Sequence, residues 1–174
     1  MTPLHRVLLG LIGGIVATGP MTALMILLHR RLPASERYPL PPREITMKLA
    51  RKAGVEQEMD AEERSAATIL SHFAYGAAGG AVYASAFEPR RHGAGKGLLF
   101  GVLVWVVSYL GWLPAAGVLS PATEHPARRN LLMIAAHVVW GVIMGAFLQL
   151  LAGEARPSEA QPFSATRTPH RDLA

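Results

Sequence analysis

SHFAYGAAGGA, which runs from Ser71 to Ala81, decides the fold of this chain, and AHVVWGVIMGA, from Ala136 to Ala146, repeats its pattern 65 positions later. Each copy has a small residue, a histidine, an aromatic residue and then two glycines four positions apart. Each copy lies within about twenty residues that contain no Asp, Glu, Lys or Arg, the length of helix that crosses the hydrocarbon core of a bilayer. We therefore predict a membrane protein with a histidine inside each of two spanning helices.

The composition of the 174 residues also indicates a membrane protein. Hydrophobic residues make up 51% of the chain and are gathered into four long blocks, which is not expected of a soluble domain. The net charge is +5, but the basic residues lie between the blocks without interleaved aromatic residues. We therefore expect contact with anionic lipid and no nucleic-acid partner. The absence of cysteine excludes disulfides, thiolate metal sites and iron–sulfur clusters.

The four blocks predict an all-α fold, an integral membrane four-helix bundle built from two tandem transmembrane helix hairpins. The transmembrane domain covers residues 1–152, with helices over 7–28, 66–87, 98–119 and 131–152. Residues 153–174 are rich in polar residues and proline, so we expect a disordered tail. The distribution of Lys and Arg favours a cytoplasmic position for the loops after the first and third helices.

A shorter helix is predicted over 42–53, because Pro42 suits a first helical turn and the segment has one apolar and one basic face. It either lies in the membrane interface or packs over the mouth of the bundle. The candidate contacts with lipid headgroups are Arg43, Lys48, Arg51 and Lys52. The following transmembrane helix begins with a capping box, in which Asp60 is the N-cap and Glu63 reaches back to it.

Pairs of glycines four positions apart predict close helix packing, since both members lie on one face of a helix. The pairs are Gly10 and Gly14, Gly76 and Gly80, and Gly141 and Gly145. We expect the second and fourth transmembrane helices to cross at their glycines, and we expect these faces also to support homo-oligomers. Pro20 and Pro114 predict kinks in the first and third helices, because proline removes a backbone donor.

His72 and His137 are the main candidate site residues, and His29 and His125 are expected at the same end of the bundle. One interpretation is that each imidazole only ties helices together through a hydrogen bond. A second is ligation of haem b or of a divalent metal by the pair, the metal itself being unknown. A third is a pathway for protons or a small solute, because imidazole titrates near neutral pH.

The order of these features resembles the YagU-like family of small bacterial inner-membrane proteins of unknown function. The points of likeness are Pro41-Pro42, the run from His72 through Gly79 and Tyr83 to Pro89, the pattern Gly97-x-x-x-Gly101-x-x-x-Trp105 with Pro114, and His137 before the last glycine pair. The resemblance implies a multi-pass protein of the bacterial inner membrane and supplies no reaction.

These observations favour a protein without enzymatic activity and without a cofactor, an accessory or stress-related component of the inner membrane. No catalytic motif of a known kind is present, neither a phosphate-binding glycine loop nor a nucleophile elbow nor His-Glu-x-x-His. Its expected partners are the lipid bilayer and another membrane protein or a second copy of itself. The alternatives are a haem- or metal-binding redox or transport protein that uses His72 and His137, and a proton or small-solute pathway.

Overall fold

The computed structural model describes residues 2–87 and 93–154, and these residues form helices and turns with no strand. The α-helices are α1 (Pro3–His29), α2 (Pro41–Lys52), α3 (Ala61–Ala86), α4 (Gly93–Val106), α5 (Leu113–Ala115) and α6 (Ala127–Glu154). Short 3₁₀ turns occupy Ala34–Glu36, Glu56–Glu58 and Ala122–Glu124, and Val107–Trp112 is π-helical. The tail beyond residue 154 and the connection 88–92, which includes Pro89, lie outside the described residues.

Three stretches are long and apolar enough to cross a membrane, namely Pro3–His29, Gly93–Ala115 and Ala127–Gly153. They support the prediction of a membrane protein. Helix α3, which was predicted as a span over 66–87, has 26 residues but is not among the three. Its hydroxyl groups, its histidine and its glycines make it less apolar than the others, so its crossing remains a prediction.

Helix α1 packs along α3 through glycine. A Cβ atom built on Gly10 would overlap the backbone at Gly80, and one built on Gly14 would overlap the carbonyl of Gly76. The two helices run in opposite directions, because Arg6 near the start of α1 donates hydrogen bonds to the carbonyls of Ala84 (3.0 Å) and Phe87 (3.2 Å) at the end of α3.

Helix α6 packs in the same way on α4, not on α3. A Cβ atom on Gly141 would overlap the carbonyl of Gly97, and one on Gly145 would overlap the carbonyl of Gly93. The expected crossing of α3 and α6 at their glycines is therefore wrong. The physical reason is that α1 already covers the glycines of α3 and α4 those of α6, and the ring of Trp140 lies between α6 and the backbone of α3.

Contacts between α1 and α6 join the two helix pairs. The indole nitrogen of Trp140 donates to the carbonyl of Gly14 at 3.3 Å, and the fully buried Met25 and Met144 belong to the core cluster that both helices share. Flexible methionine side chains fill such irregular interiors well. The core thus lies along the line where α6 meets α1.

The two prolines act differently on their helices. Helix α1 continues through Pro20 without interruption. The stretch Gly93–Ala115 corresponds to the third predicted transmembrane helix and is called the third span below. In this span, the π-helical turn precedes Pro114, and Gly111 within the turn leaves the helical conformation (φ −112°, ψ −107°). A proline cannot donate to the carbonyl one turn before it, so the helix is rearranged on that side.

Helix α2 lies over the mouth of the bundle, where it contacts α3. The ammonium group of Lys52 donates to the carbonyl of Ala116 at 2.6 Å and so attaches α2 to the turn after α5. The capping box at the start of α3 is confirmed. Asp60 Oδ1 accepts from the backbone of Glu62 and Glu63 at 2.8 Å, and Glu63 reaches back to the amide of Asp60 at 2.9 Å.

Candidate functional site

A cavity of about 530 Å³ lies between α3 and the third span, with α6 as its floor and α2 over one end. It exists because α3 pairs with α1 and α6 pairs with α4 through glycine, so that few residues of α3 and α4 approach each other, although the Tyr83 hydroxyl donates to the carbonyl of Gly93 at 3.2 Å. Its wall is largely apolar, and no Asp, Glu, Lys or Arg of the described residues lines it. Both His72 and His137 line it. A mostly apolar cavity of this size with a few polar groups is typical of a site for a small molecule.

His137 is buried in the floor of the cavity, with 6% of its surface exposed. Its Nδ1 lies 2.8 Å from the carbonyl oxygen of Met133, one turn earlier in α6. A carbonyl oxygen only accepts, so Nδ1 carries the hydrogen and Nε2 of the neutral ring carries a lone pair. Nε2 has no hydrogen-bond partner among residues 2–87 and 93–154. The ring stands edge-on to Tyr109, with centroids 5.8 Å apart.

His72 ties α3 to α1. Its Nε2 lies 3.1 Å from the hydroxyl oxygen of Thr22, and that hydroxyl donates to the carbonyl of Thr18 at 2.7 Å. Since the hydroxyl hydrogen is already used, Nε2 of His72 is the donor to Thr22. The two histidines of the repeat therefore bond differently, one across helices and the other within its own helix.

His29 and His125 lie away from the cavity and meet at Tyr38. Nε2 of His29 is 3.0 Å from the carbonyl oxygen of Tyr38, and Nδ1 of His125 is 2.8 Å from the Tyr38 hydroxyl. The four histidines grouped by the sequence analysis thus form two separate pairs. Within the described ranges, no group of three or more His, Asp or Glu side chains could hold a metal ion.

A contact that the sequence did not predict links α3 to the third span. The hydroxyl of Tyr75 lies 2.8 Å from that of Ser108, across the gap beside the cavity. One hydrogen bridges the two oxygens, and the other hydrogen has no acceptor among the described residues. Ser108 is buried, whereas Tyr75 and Trp112 are 46% and 41% exposed at the rim. The polar residues of α3 and of the third span were visible in the sequence, but the contact between Tyr75 and Ser108 was not.

Arg129 was also missed, because in the sequence it looked like a loop charge that sets topology. It is only 5% exposed and donates to the carbonyls of Glu36 (3.1 Å), Tyr38 (2.9 Å) and Pro39 (2.8 Å). Its guanidinium also lies 3.5 Å from the centre of the Tyr38 ring. A buried guanidinium with this many acceptors holds the first loop against the start of α6.

Two of the four candidate headgroup contacts make bonds within the protein. Lys52 bonds Ala116, as described above, and Arg51 forms an ion pair with Glu56. The hydrogen bond from Arg51 lowers the pKa of the Glu56 carboxyl, and the same contact raises the pKa of Arg51. Arg43 and Lys48 line a second cavity of about 640 Å³, which lies between α2 and residues 117–120.

Comparison with known proteins gives one match. Residues 4–159 match a family that is described as a family of unknown function (DUF6789). No curated protein and no solved structure matches the chain.

Proposed function

We propose that this chain, which belongs to the family of unknown function DUF6789, is a multi-pass bacterial inner-membrane protein that binds a small apolar molecule. It has no catalytic activity of its own and serves as an accessory component of the membrane, in line with its resemblance to YagU-like proteins. The single observation that carries the proposal is the cavity of about 530 Å³ between α3 and the third span.

The position of the cavity suits a ligand that dissolves in lipid. No charged side chain of residues 2–87 and 93–154 lines the cavity, and its rim includes side chains that are partly exposed on the outside of the bundle, such as Tyr75, Leu103 and Trp112. In a bilayer that outer surface faces hydrocarbon. A molecule can therefore pass from the lipid through the gap between α3 and α4, and burial of its apolar surface stabilises the complex.

The proposal includes α3 as a fourth crossing. Arg6 near the start of α1 meets the end of α3, and Thr22 near the end of α1 meets His72. Helix α3 therefore accompanies α1 over most of its length. Because α1 is apolar enough to span the membrane, α3 lies at the same depth. Of its polar side chains, His72 bonds α1, Tyr75 bonds the third span, and Ser85 bonds a carbonyl of α3 itself.

Quenching of Trp140 tests the proposal. Trp140 lines the cavity but is only 3% exposed, so lipid around the protein does not reach it. In a variant whose other tryptophans are replaced (W105F/W112F), a brominated medium-chain alkane should quench Trp140 in a saturable manner. Quenching that never saturates, or that is absent, would contradict a binding cavity.

A pair of alanines provides the control. Ala78 lines the cavity, whereas Ala74, one turn earlier on α3, does not. Ala78→Phe should fill part of the cavity and weaken binding about tenfold, which corresponds to the burial of one or two methylene groups. Ala74→Phe should leave binding unchanged. Equal effects of the two substitutions would mean that the alkane binds elsewhere.

A haem- or metal-binding protein is the second candidate, because His72 and His137 line the same cavity and each neutral ring has one nitrogen that is not needed for its present bond. Absorption spectra and metal analysis of the purified protein test it. A Soret band or near-stoichiometric metal that is lost in His72→Ala/His137→Ala would support this candidate. A colourless and metal-free protein would contradict it.

A further inference from the structure

Several polar groups that line the cavity make no further hydrogen bond with the described residues, among them Nδ1 of His72 and the hydroxyl of Tyr109. An acceptor in the floor and a donor in the wall are two more such groups. The acceptor is Nε2 of His137, since the hydrogen of that ring is on Nδ1 and bonds Met133. The donor is the second hydroxyl hydrogen of the Tyr75–Ser108 pair, of which only one is shared between the two oxygens. A ligand that meets both leaves neither of these two groups unpaired, which matters because an unpaired group in an apolar site weakens binding.

The chemistry of the wall limits the polar group of such a ligand. A carboxylate, a phosphate or an ammonium group would have no counterion, because no Asp, Glu, Lys or Arg of the described residues lines the cavity. An ether, an ester or a ketone only accepts hydrogen bonds and would leave His137 Nε2 unpaired. A carboxamide has two N–H donors, so it would have to bond His137 Nε2 on α6 and His72 Nδ1 on α3 at once. A hydroxyl group provides one donor and accepts as well.

We infer, on the basis of the proposed binding function, that the ligand of this cavity is a neutral amphiphile whose apolar body carries a hydroxyl group. The hydroxyl donates to His137 Nε2, and the Tyr75–Ser108 pair supplies a donor to its oxygen. His137 thereby selects alcohols and phenols over ethers and ketones of the same size. We assign the selection to His137 and not to His72, because His137 is buried in the floor, whereas His72 is half-buried and its Nε2 ties α3 to α1 through Thr22.

Competition against the brominated alkane, with Trp140 as the reporter, tests this inference. The competitors are a medium-chain alcohol and an isomeric ether with the same number of carbon atoms, and their concentrations are compared after correction for their measured partition into the membrane. The alcohol should displace the alkane at about a fivefold lower concentration than the ether, the effect of one net hydrogen bond. This ratio should fall to about one in His137→Phe and should persist in His72→Phe, by the same reasoning.

The outcomes separate the two proposals. Absence of saturable quenching by the brominated alkane overturns the binding function itself. Saturable quenching with equal displacement by alcohol and ether overturns only the inference, and means that a retained water molecule satisfies His137. The inference is also overturned if the preference for the alcohol over the ether is lost in His72→Phe and kept in His137→Phe. Should His137→Phe fail to fold, as judged by helicity, the ratio in the protein with both histidines still decides.

Discussion

Gly97 and Gly141 lie so close together that a Cβ atom on either one would overlap the carbonyl oxygen of the other. Contacts of this kind hold α1 against α3 and α4 against α6. In lipid, helices are not driven together by burial of apolar surface, so close backbone approach and the dispersion contacts that it allows become important for association. A single methyl group at such a contact separates the helices.

The substitution Gly141→Ala should destabilise the protein by about 1–3 kcal/mol, the usual cost of an extra methyl group in a tightly packed interior. Unfolding by a denaturing detergent, followed by circular dichroism, measures the change. Gly19→Ala is the control, because a Cβ atom there meets nothing within 4 Å. It should be neutral or stabilising by up to about 1 kcal/mol, since alanine favours the helix. A similar loss in both variants would contradict the packing argument.

At the scale of elements, α2 is fastened at its C-terminal end by two basic side chains. Lys52 bonds the turn after α5, and Arg51 pairs with Glu56 in the following 3₁₀ turn. Its inner face covers one end of the cavity, and its outer face carries Arg43 and Lys48. One face of α2 thus covers the cavity, and the opposite face is the one that could contact lipid headgroups. Contact with headgroups remains a prediction.

The pairing of Arg51 with Glu56 should depend on pH. Because the pKa of Glu56 is lower in the folded protein than in the unfolded chain, the pair stabilises the fold above the ordinary glutamate pKa. That stabilisation is lost as the pH falls through the lowered pKa. Carbon-detected NMR titration of the Glu56 carboxyl measures it, and Arg51→Gln should raise the pKa towards its ordinary value.

Lys52→Gln is the control for this titration, because Lys52 bonds Ala116 instead of Glu56. It should leave the titration of Glu56 nearly unchanged. A shift as large as that in Arg51→Gln would mean that the general positive charge of α2, and not the direct hydrogen bond, controls the carboxyl.

Local patterns in the sequence predicted the elements better than the contacts between them. The capping box at Asp60 was predictable because all of its atoms lie within four residues of one another. Which glycine pair packs on which other pair was not predictable. Any two of these pairs could pack together, so their pairing depends on the packing of the whole bundle. Arg128 and Arg129 show the same limit. They are adjacent and identical in type, yet Arg129 is buried, whereas the side chain of Arg128 is 68% exposed.

At the scale of the whole molecule, the contacts between loops indicate which segments share a side of the membrane. The first loop meets the segment before α6 through Tyr38 and His125, and α2 meets the turn after α5. Six glycines that were expected to support oligomers are instead covered within the chain. The homo-oligomer remains a prediction, and it would need another face.

Labelling of single cysteines tests this arrangement, and the chain suits the method because it contains no cysteine. Ser35→Cys and Ser120→Cys should react with an impermeant maleimide from the same side, the cytoplasmic side by the distribution of basic residues. Gly95→Cys should react only from the opposite side. Reaction of Ser35→Cys and Gly95→Cys from one side, with Ser120→Cys on the other, would contradict the crossing of α3.

The glycine-packed pairs also bear on how the protein is assembled during synthesis. In each pair, the two long helices follow one another along the chain, so each pair can form as soon as its second helix leaves the ribosome and enters the bilayer. The floor of the cavity comes from α6, which is made after α1, α3 and α4. A nascent chain in which α6 has not yet been made therefore lacks the cavity floor, and the proposed ligand would bind only once α6 is in place.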